Sequence, residues 1–238
     1  MHPSLLPLYR GACPIQYALL NNDKKTGVSI IEASKKSFDK GNIISQFEVE
    51  IEEKFRFKEL SAVLARLGGD EIVNFLKNFE VLLSAKKEQK FDNLDKKQLA
   101  PIFKERNFVY LDFLNSPAEE LLILYRAFFG SQLEPYLKIN LLNRERFLFF
   151  ENLSHPSITQ IELLKNIPNI IKSGVIYWDL KSDRNAIFIK STTGWLVSTK
   201  VKLDRTVYLP GEEVITDIFR NKRTISNGDF AVNTLPKL

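Results

Sequence analysis

The chain has 238 residues, 44% of them apolar and 26% charged, which suits one large domain or two small ones with a sizeable core. Its net charge of +5 is compatible with an anionic partner such as RNA without requiring one. A single cysteine, Cys13, excludes an internal disulfide framework and points to a reducing compartment, and no apolar run approaches the roughly 20 residues of a membrane span.

The first residues are dense in positions with conformational meaning: Pro3, Ser4, Pro7, Gly11 and Pro14, with one of only two histidines at position 2. A short helix is expected over Pro14 to Leu20, ended by Asn21-Asn22-Asp23. The β-branched run Val28 to Ile31 reads as a strand. Asp39-Lys40-Gly41-Asn42 is a turn, and Ile43 to Ile51 is extended. Leu60, Val63, Leu64 and Leu67, then Ile72, Phe75, Leu76 and Phe79, recur at helical spacing, so one long helix is expected over Phe57 to Leu83. Gly68-Gly69 in its middle marks a break or a close contact.

Composition then shifts. The polar stretch "SAKKEQKFDNLDKKQLAP" reads as a linker. Ser116-Pro117-Ala118-Glu119 is a good helix start, and the helix should end near Gly130. From Tyr136 onward, "LKINLLN", "FLFFENL", "GVIYWDL", "NAIFIKS" and "GWLVSTKVKL" are short strand-like runs split by turns, the spacing of a small β-barrel or sandwich. Pro210 to Arg220 reads as a closing helix. His155 is read as a loop residue. Lys104, Arg106, Lys190, Lys200 and Lys202 are candidates for an RNA-facing surface.

The stretch "HPSLLPLYRGACPIQYALLNNDKKTGVSII", followed by "FDKGNIISQ", resembles the methionyl-tRNA formyltransferase family. That family's core motif looks like Asn-x-His-[Pro/Ala/Gly]-Ser-Leu-Leu-Pro, then Tyr/Trp-Arg-Gly-Ala-Ala-Pro-Ile-Gln, a Thr-Gly-Val strand and an Asp-x-Gly turn. These pieces occur here in order. The later segments "LARLGGDEIVNFLKNF", "FVYLDFLNSPAEELLILYRAFFG" and "GWLVSTKVKLDRT" are similar to the family's later parts. The resemblance implies an α/β plus β fold: the second half of a Rossmann-like catalytic domain over 1–85, a linker over 86–117, and an OB-like barrel of the tRNA-binding type over 118–238. It also implies that the family's asparagine, two places before the histidine, falls ahead of Met1, so that this chain corresponds to a C-terminal portion with impaired activity.

The implied chemistry is transfer of a formyl group from 10-formyltetrahydrofolate to the amino group of initiator methionyl-tRNA. An amine attacks the formyl carbonyl, an oxyanion develops, and the nitrogen must lose a proton. By resemblance His2 and Asp39 are catalytic. Ser4, Leu5, Leu6 and Pro7 line the tetrahydrofolate site, and Arg10 and Gly11 shape the neighbouring loop. Cys13 stands where the family usually has alanine and is expected to act as a small hydrophobe. No metal is expected, nor a membrane, and a monomer is. The competing readings are an inactive tRNA-binding fragment, or another folate-dependent formyltransferase or hydrolase of the same superfamily. A mitochondrial matrix location is expected, with the bacterial cytoplasm as the alternative.

Overall fold

The computed structural model describes residues 1–34, 37–91, 99–141, 144–165, 172–178, 186–204, 207–211, 213 and 232–233. The chain divides into two compact units. The first holds Met1–Phe108 and Arg126–Gln132; the second holds Val109–Tyr125 and everything from Leu133 on.

The first unit begins with His2 laid antiparallel beside Ser29. Their backbone groups exchange two hydrogen bonds of 2.9 Å. Then come β1 (Arg10–Gly11), α1 (Pro14–Leu20), β2 (Lys25–Ile31), β3 (Ile43–Glu50), α2 (Phe57–Lys77), α3 (Phe79–Ser84) and β4 (Leu99–Ala100). β2 and β3 pair antiparallel from Lys25↔Glu50 to Ile31↔Ile43, and β1 pairs parallel with β4. Helix α2 packs against β2 and α1. It buries Leu60, Leu64 and Gly68, one residue every four, so a single stripe faces inward.

Gly68 is the close contact that the sequence suggested, not a break. A Cβ there would lie 1.9 Å from the Met1 sulfur, so the Met1 side chain would have to shift to admit one. The break comes ten residues later. Asn78 separates α2 from α3, with its amide donating to the Asn74 carbonyl and side chain. A short polar side chain competing for backbone partners is a common reason for a helix to stop. The expected single helix is therefore two. Aromatic packing closes this unit: Tyr17 stacks on Phe103 at 4.9 Å, and Phe103 meets the edge of Phe128 at 4.8 Å.

The second unit contains α4 (Ala118–Phe128, counted with this unit up to Tyr125), β5 (Tyr136–Leu141), β6 (Arg144–Phe150), α5 (Ile158–Leu164), β7 (Ile176–Trp178), β8 (Ile187–Lys190), β9 (Trp195–Ser198), β10 (Lys200–Leu203), β11 (Leu209–Pro210) and β12 (Val232–Asn233). The strands form two four-stranded sheets, ordered β11-β10-β6-β5 and β12-β7-β8-β9. Among the described residues the sheets do not close into a barrel. They do share a strand: β9 and β10 are consecutive, interrupted only at Thr199, and belong to different sheets. A strand that bends from one sheet into the next is how sheet corners are made.

Asn152 holds the bend. Its Oδ1 accepts from the Ser198 hydroxyl and the Thr199 backbone N–H, both at 3.0 Å, and its Nδ2 donates to the Thr199 hydroxyl. The core here is Leu137, Leu148, Phe150, Phe188, Leu196 and Val201, all at most 2% exposed. Pro210 lies in β11, where the sequence suggested a helix start, and the rest of that expected helix falls almost wholly outside the described residues.

Candidate functional site

The polar residues of the first turn-rich stretch converge on His2. Its backbone is fixed by Ser29, and its ring is 5% exposed. Nδ1 lies 2.9 Å from the Ser4 hydroxyl, which sits 2.7 Å from the Leu8 carbonyl. Nε2 faces two oxygens: the Gly11 carbonyl at 3.3 Å and the Asp39 carboxylate at 3.6 Å. Gly11 presents that carbonyl from a backbone with φ of +135°, a conformation that side-chain-bearing residues rarely adopt.

The hydrogen-bond pattern limits the proton states. Ser4 has one hydroxyl hydrogen and two acceptors in reach, the Leu8 carbonyl and His2 Nδ1. A neutral ring therefore leaves one contact unmade. A protonated ring satisfies all of them: Nδ1–H donates to Ser4, Ser4 donates to Leu8, and Nε2–H points at Gly11 and Asp39. Burial opposes that charge and is the largest influence, holding the His2 pKa below its ordinary value. The Asp39 carboxylate and the Gly11 carbonyl push it back up, while the amino terminus adds a smaller downward effect. The ring is thus neutral at rest, with a ready set of partners for an incoming proton.

Ser29 and Gln46 hold the segment behind the ring. The Ser29 hydroxyl donates to the Ser4 carbonyl at 2.6 Å and accepts from the Leu6 N–H at 3.0 Å. Gln46 Nε2 donates to the Leu6 carbonyl at 2.8 Å and to the Ser29 hydroxyl at 2.9 Å. Ser29 stands at the Thr/Ser place of the family's Thr-Gly-Val-[Thr/Ser]-Ile strand and Gln46 ends the matching stretch "FDKGNIISQ", but the sequence assigns neither a role and nothing local marks them as partners.

Of the residues expected around the folate, Ser4 and Leu6 are buried, while Leu5 and Pro7 are partly exposed. Leu5 packs where Gly27 leaves room: a Cβ on Gly27 would lie 2.6 Å from Leu5 Cδ2 and 2.1 Å from the Phe47 carbonyl. Arg10 and Lys40 lie over the ring of Phe91, at 5.1 and 5.6 Å from its centre. Cys13 is half-buried, and its N–H donates to the Ala100 carbonyl.

The second unit has a cavity of about 570 Å³, bordered by Glu119, His155, Leu164, Lys165, Lys190 and Trp195. None of the residues around His2 lines it. Of the basic residues expected to face RNA, Lys202 is mostly buried and paired with Glu134 at 2.6 Å, Lys200 pairs with Glu151, and Lys190 lies over Trp195. No group of acidic, cysteine and histidine residues among those described could hold a metal ion, and no described helix is long and apolar enough to cross a membrane.

Residues 1–76, which contain this whole cluster except Phe91, match the formyl transferase family. The chain is 43% identical over 86 residues to the methionyl-tRNA formyltransferase of Ehrlichia canis, covering 36% of this chain and 28% of that protein. It is 42% identical over 89 residues to the human mitochondrial methionyl-tRNA formyltransferase, covering 37% of this chain and 23% of that one. The match thus spans about a quarter of the length of these relatives. Over 92% of its length the chain shares the fold of HypX from Aquifex aeolicus, solved in complex with tetrahydrofolic acid, with a TM-score of 0.64, 19% identity and 35% of that chain covered. Over 87% it shares the fold of the sugar 3N-formyl transferase WlaRD, with a TM-score of 0.52, 18% identity and 65% of that chain covered. Residues 1–76 are thus similar to the formyl transferase family.

Proposed function

We propose that this chain carries the proton-handling half of a methionyl-tRNA formyltransferase, acting with 10-formyltetrahydrofolate as formyl donor. The observation that carries the reading is the His2–Asp39 approach of 3.6 Å, inside the stretch that matches the formyl transferase family. The chemistry requires an amine to become an amide. Its nitrogen attacks the formyl carbon, loses a proton, and the bond from that carbon to the folate nitrogen breaks.

His2 takes the proton at Nε2. For this the ring must be neutral with its hydrogen on Nδ1, the tautomer that the Ser4–Leu8 relay accepts. The proton arrives facing Asp39, whose carboxylate stabilises the imidazolium. The Gly11 carbonyl accepts from Nε2–H once the proton has arrived. In this account Ser4 serves the histidine directly, and the partly exposed Leu5 and Pro7 offer the folate ring an apolar edge. The Ser4 carbonyl and both backbone groups of Leu6 are already engaged by Ser29 and Gln46. Arg10 and Lys40 place two positive charges over the ring of Phe91, suited to the phosphates of an RNA end.

The second unit completes the reading as a tRNA-contacting module. Mitochondrial relatives support a matrix location; bacterial relatives support the bacterial cytoplasm in the same way.

The test is an assay with purified protein, charged initiator tRNA and 10-formyltetrahydrofolate. The expected result is formyl-methionine that disappears in His2→Gln, with slow turnover for these 238 residues alone. Formylation of an amino-sugar nucleotide and not of methionyl-tRNA would overturn the acceptor. No folate-dependent transfer to any amine would overturn the enzyme reading.

A further inference from the structure

We propose that Gln89 is a positioning residue of the site, setting the place of the Asp39 carboxylate through the backbone of its turn. The proposal rests on the formyl-transfer reading for its catalytic consequence, but its geometry stands apart from it.

The observation is a strap. After α3, the chain returns beside the loop-connected end of the β2–β3 pair. Lys87 exchanges backbone hydrogen bonds with Ile43 at 2.7 and 2.8 Å. Two residues on, the Gln89 side chain is 5% exposed. Its Nε2 donates to the Asp39 carbonyl at 3.0 Å and to the Gly41 carbonyl at 2.6 Å. Both partners are acceptors, so only the nitrogen end of the amide can face them. Two residues further, Phe91 lies under Arg10 and Lys40. Alternate residues of one short extended segment thus reach three neighbouring parts of the site.

The Asp39 turn needs such support. Asp39 itself has φ of +57°, a left-handed conformation uncommon for side-chain-bearing residues, although aspartate adopts it more readily than most. Gly41 is pressed against the Glu32 carbonyl so closely that a Cβ would lie 1.8 Å from it. Gln89 supplies both hydrogens from one atom. Removing them frees the turn to rotate, and a carboxylate already 3.6 Å from Nε2 loses its place by a fraction of that distance. Displacements of about 1 Å at a reacting centre cost on the order of 10²-fold in rate.

The groups facing the His2 ring are few: the Asp39 carboxylate from the turn, the amino group of Met1, the Gly11 carbonyl from β1 and the Ser4 hydroxyl. Only the first two carry charge. Loss of Asp39 from its position therefore reads out directly in the titration of His2.

The experiment compares Gln89→Met, which keeps length and packing but has no donor, with Asp39→Asn and the double variant. The His2 ring is followed by NMR from pH 8 to 4, with melting temperature and circular dichroism as fold controls. Gln89→Met should lower the His2 midpoint by roughly 0.5–1 pH unit, in the same direction as Asp39→Asn, and should add nothing in the Asp39→Asn background. An unchanged midpoint, or an equal fall with Asp39 already replaced, overturns the proposal. If Gln89→Met does not fold, Gln89→Asn is read the same way, because its shorter amide cannot span both carbonyls. In the formylation assay Gln89→Met should lower kcat by roughly 10- to 100-fold with folate KM within about twofold. A kcat equal to the parent's overturns the catalytic consequence. If the parent transfers no formyl group, the function proposed above fails while the titration still decides the role of Gln89.

Discussion

The ring nitrogen of His2 and the carboxylate of Asp39 face one another at 3.6 Å although 37 positions of chain separate them. The distance is an ion-pair separation and too long for a direct hydrogen bond. Under the proposed function, Nε2 receives the amine proton and the Asp39 charge is close enough to stabilise the imidazolium. Asp39→Asn should therefore keep the fold and lower kcat about 10²-fold, with a smaller change in KM. Steady-state formylation and a thermal melt on the same sample check it; an unaltered kcat would remove Asp39 from the chemistry.

The depressed pKa of His2 has a consequence for stability. Above the ordinary histidine value of about 6.5 the ring is neutral in both folded and unfolded chains, so it contributes no pH dependence. As pH falls through that value the unfolded chain takes up a proton that the buried ring resists. Unfolding then binds protons, and stability drops with falling pH until the folded pKa is passed. The melting temperature of the parent should fall more steeply between pH 7 and 5 than that of His2→Gln. Parallel curves would show that the ring does not titrate differently on folding.

Gly27→Ala tests the seating of Leu5. The added methyl meets the Phe47 carbonyl and the Leu5 side chain at distances that neither can tolerate. Overpacking of this kind costs about 1–3 kcal/mol. Denaturant unfolding should show that loss. Folate KM should rise as well, because Leu5 is the side chain displaced.

Asn152→Ala tests the sheet corner. It removes the acceptor shared by Ser198 and Thr199 and the donor to the Thr199 hydroxyl. Asn152 is exposed, so water replaces part of what is lost, and a destabilisation of about 1–2 kcal/mol is expected. Asn152→Asp keeps the acceptor and should recover most of it.

The sequence disclosed the site where the chemistry is written in residue type. His2, the Asp39 turn and the β-branched run of β2 could all be found from the motif and its spacing. The start of α4 followed from its Ser-Pro-Ala-Glu signal, and the strands of the second unit from their alternation with turns. What stayed hidden depends on contacts distant in sequence. Gln89 sits in a run of lysines and glutamates that reads as linker, and its partners lie 48 and 50 positions away. Gln46 and Ser29 lie in the matching stretches, yet nothing marks them as partners until the chain folds Leu6 between them. The end of α2 was missed because the apolar spacing continues through Asn78, and only the side chain's grip on Asn74 stops the helix. The basic residues looked like a free surface, yet Lys202 is turned inward onto Glu134.

The strand shared between the two sheets ties their fates together. Val197 belongs to β9 and Val201 to β10, four positions apart on one continuous run. Ser154, just past β6, exchanges hydrogen bonds with Val197 as well, so the neighbouring strand also reaches both sheets. Neither sheet can melt without pulling a member out of the other. The second unit is thereby one cooperative block, and its folding must wait for pairings between distant stretches of chain. Amide exchange at Val197 and Val201 should slow and quicken together under denaturant, as a single opening event and not two.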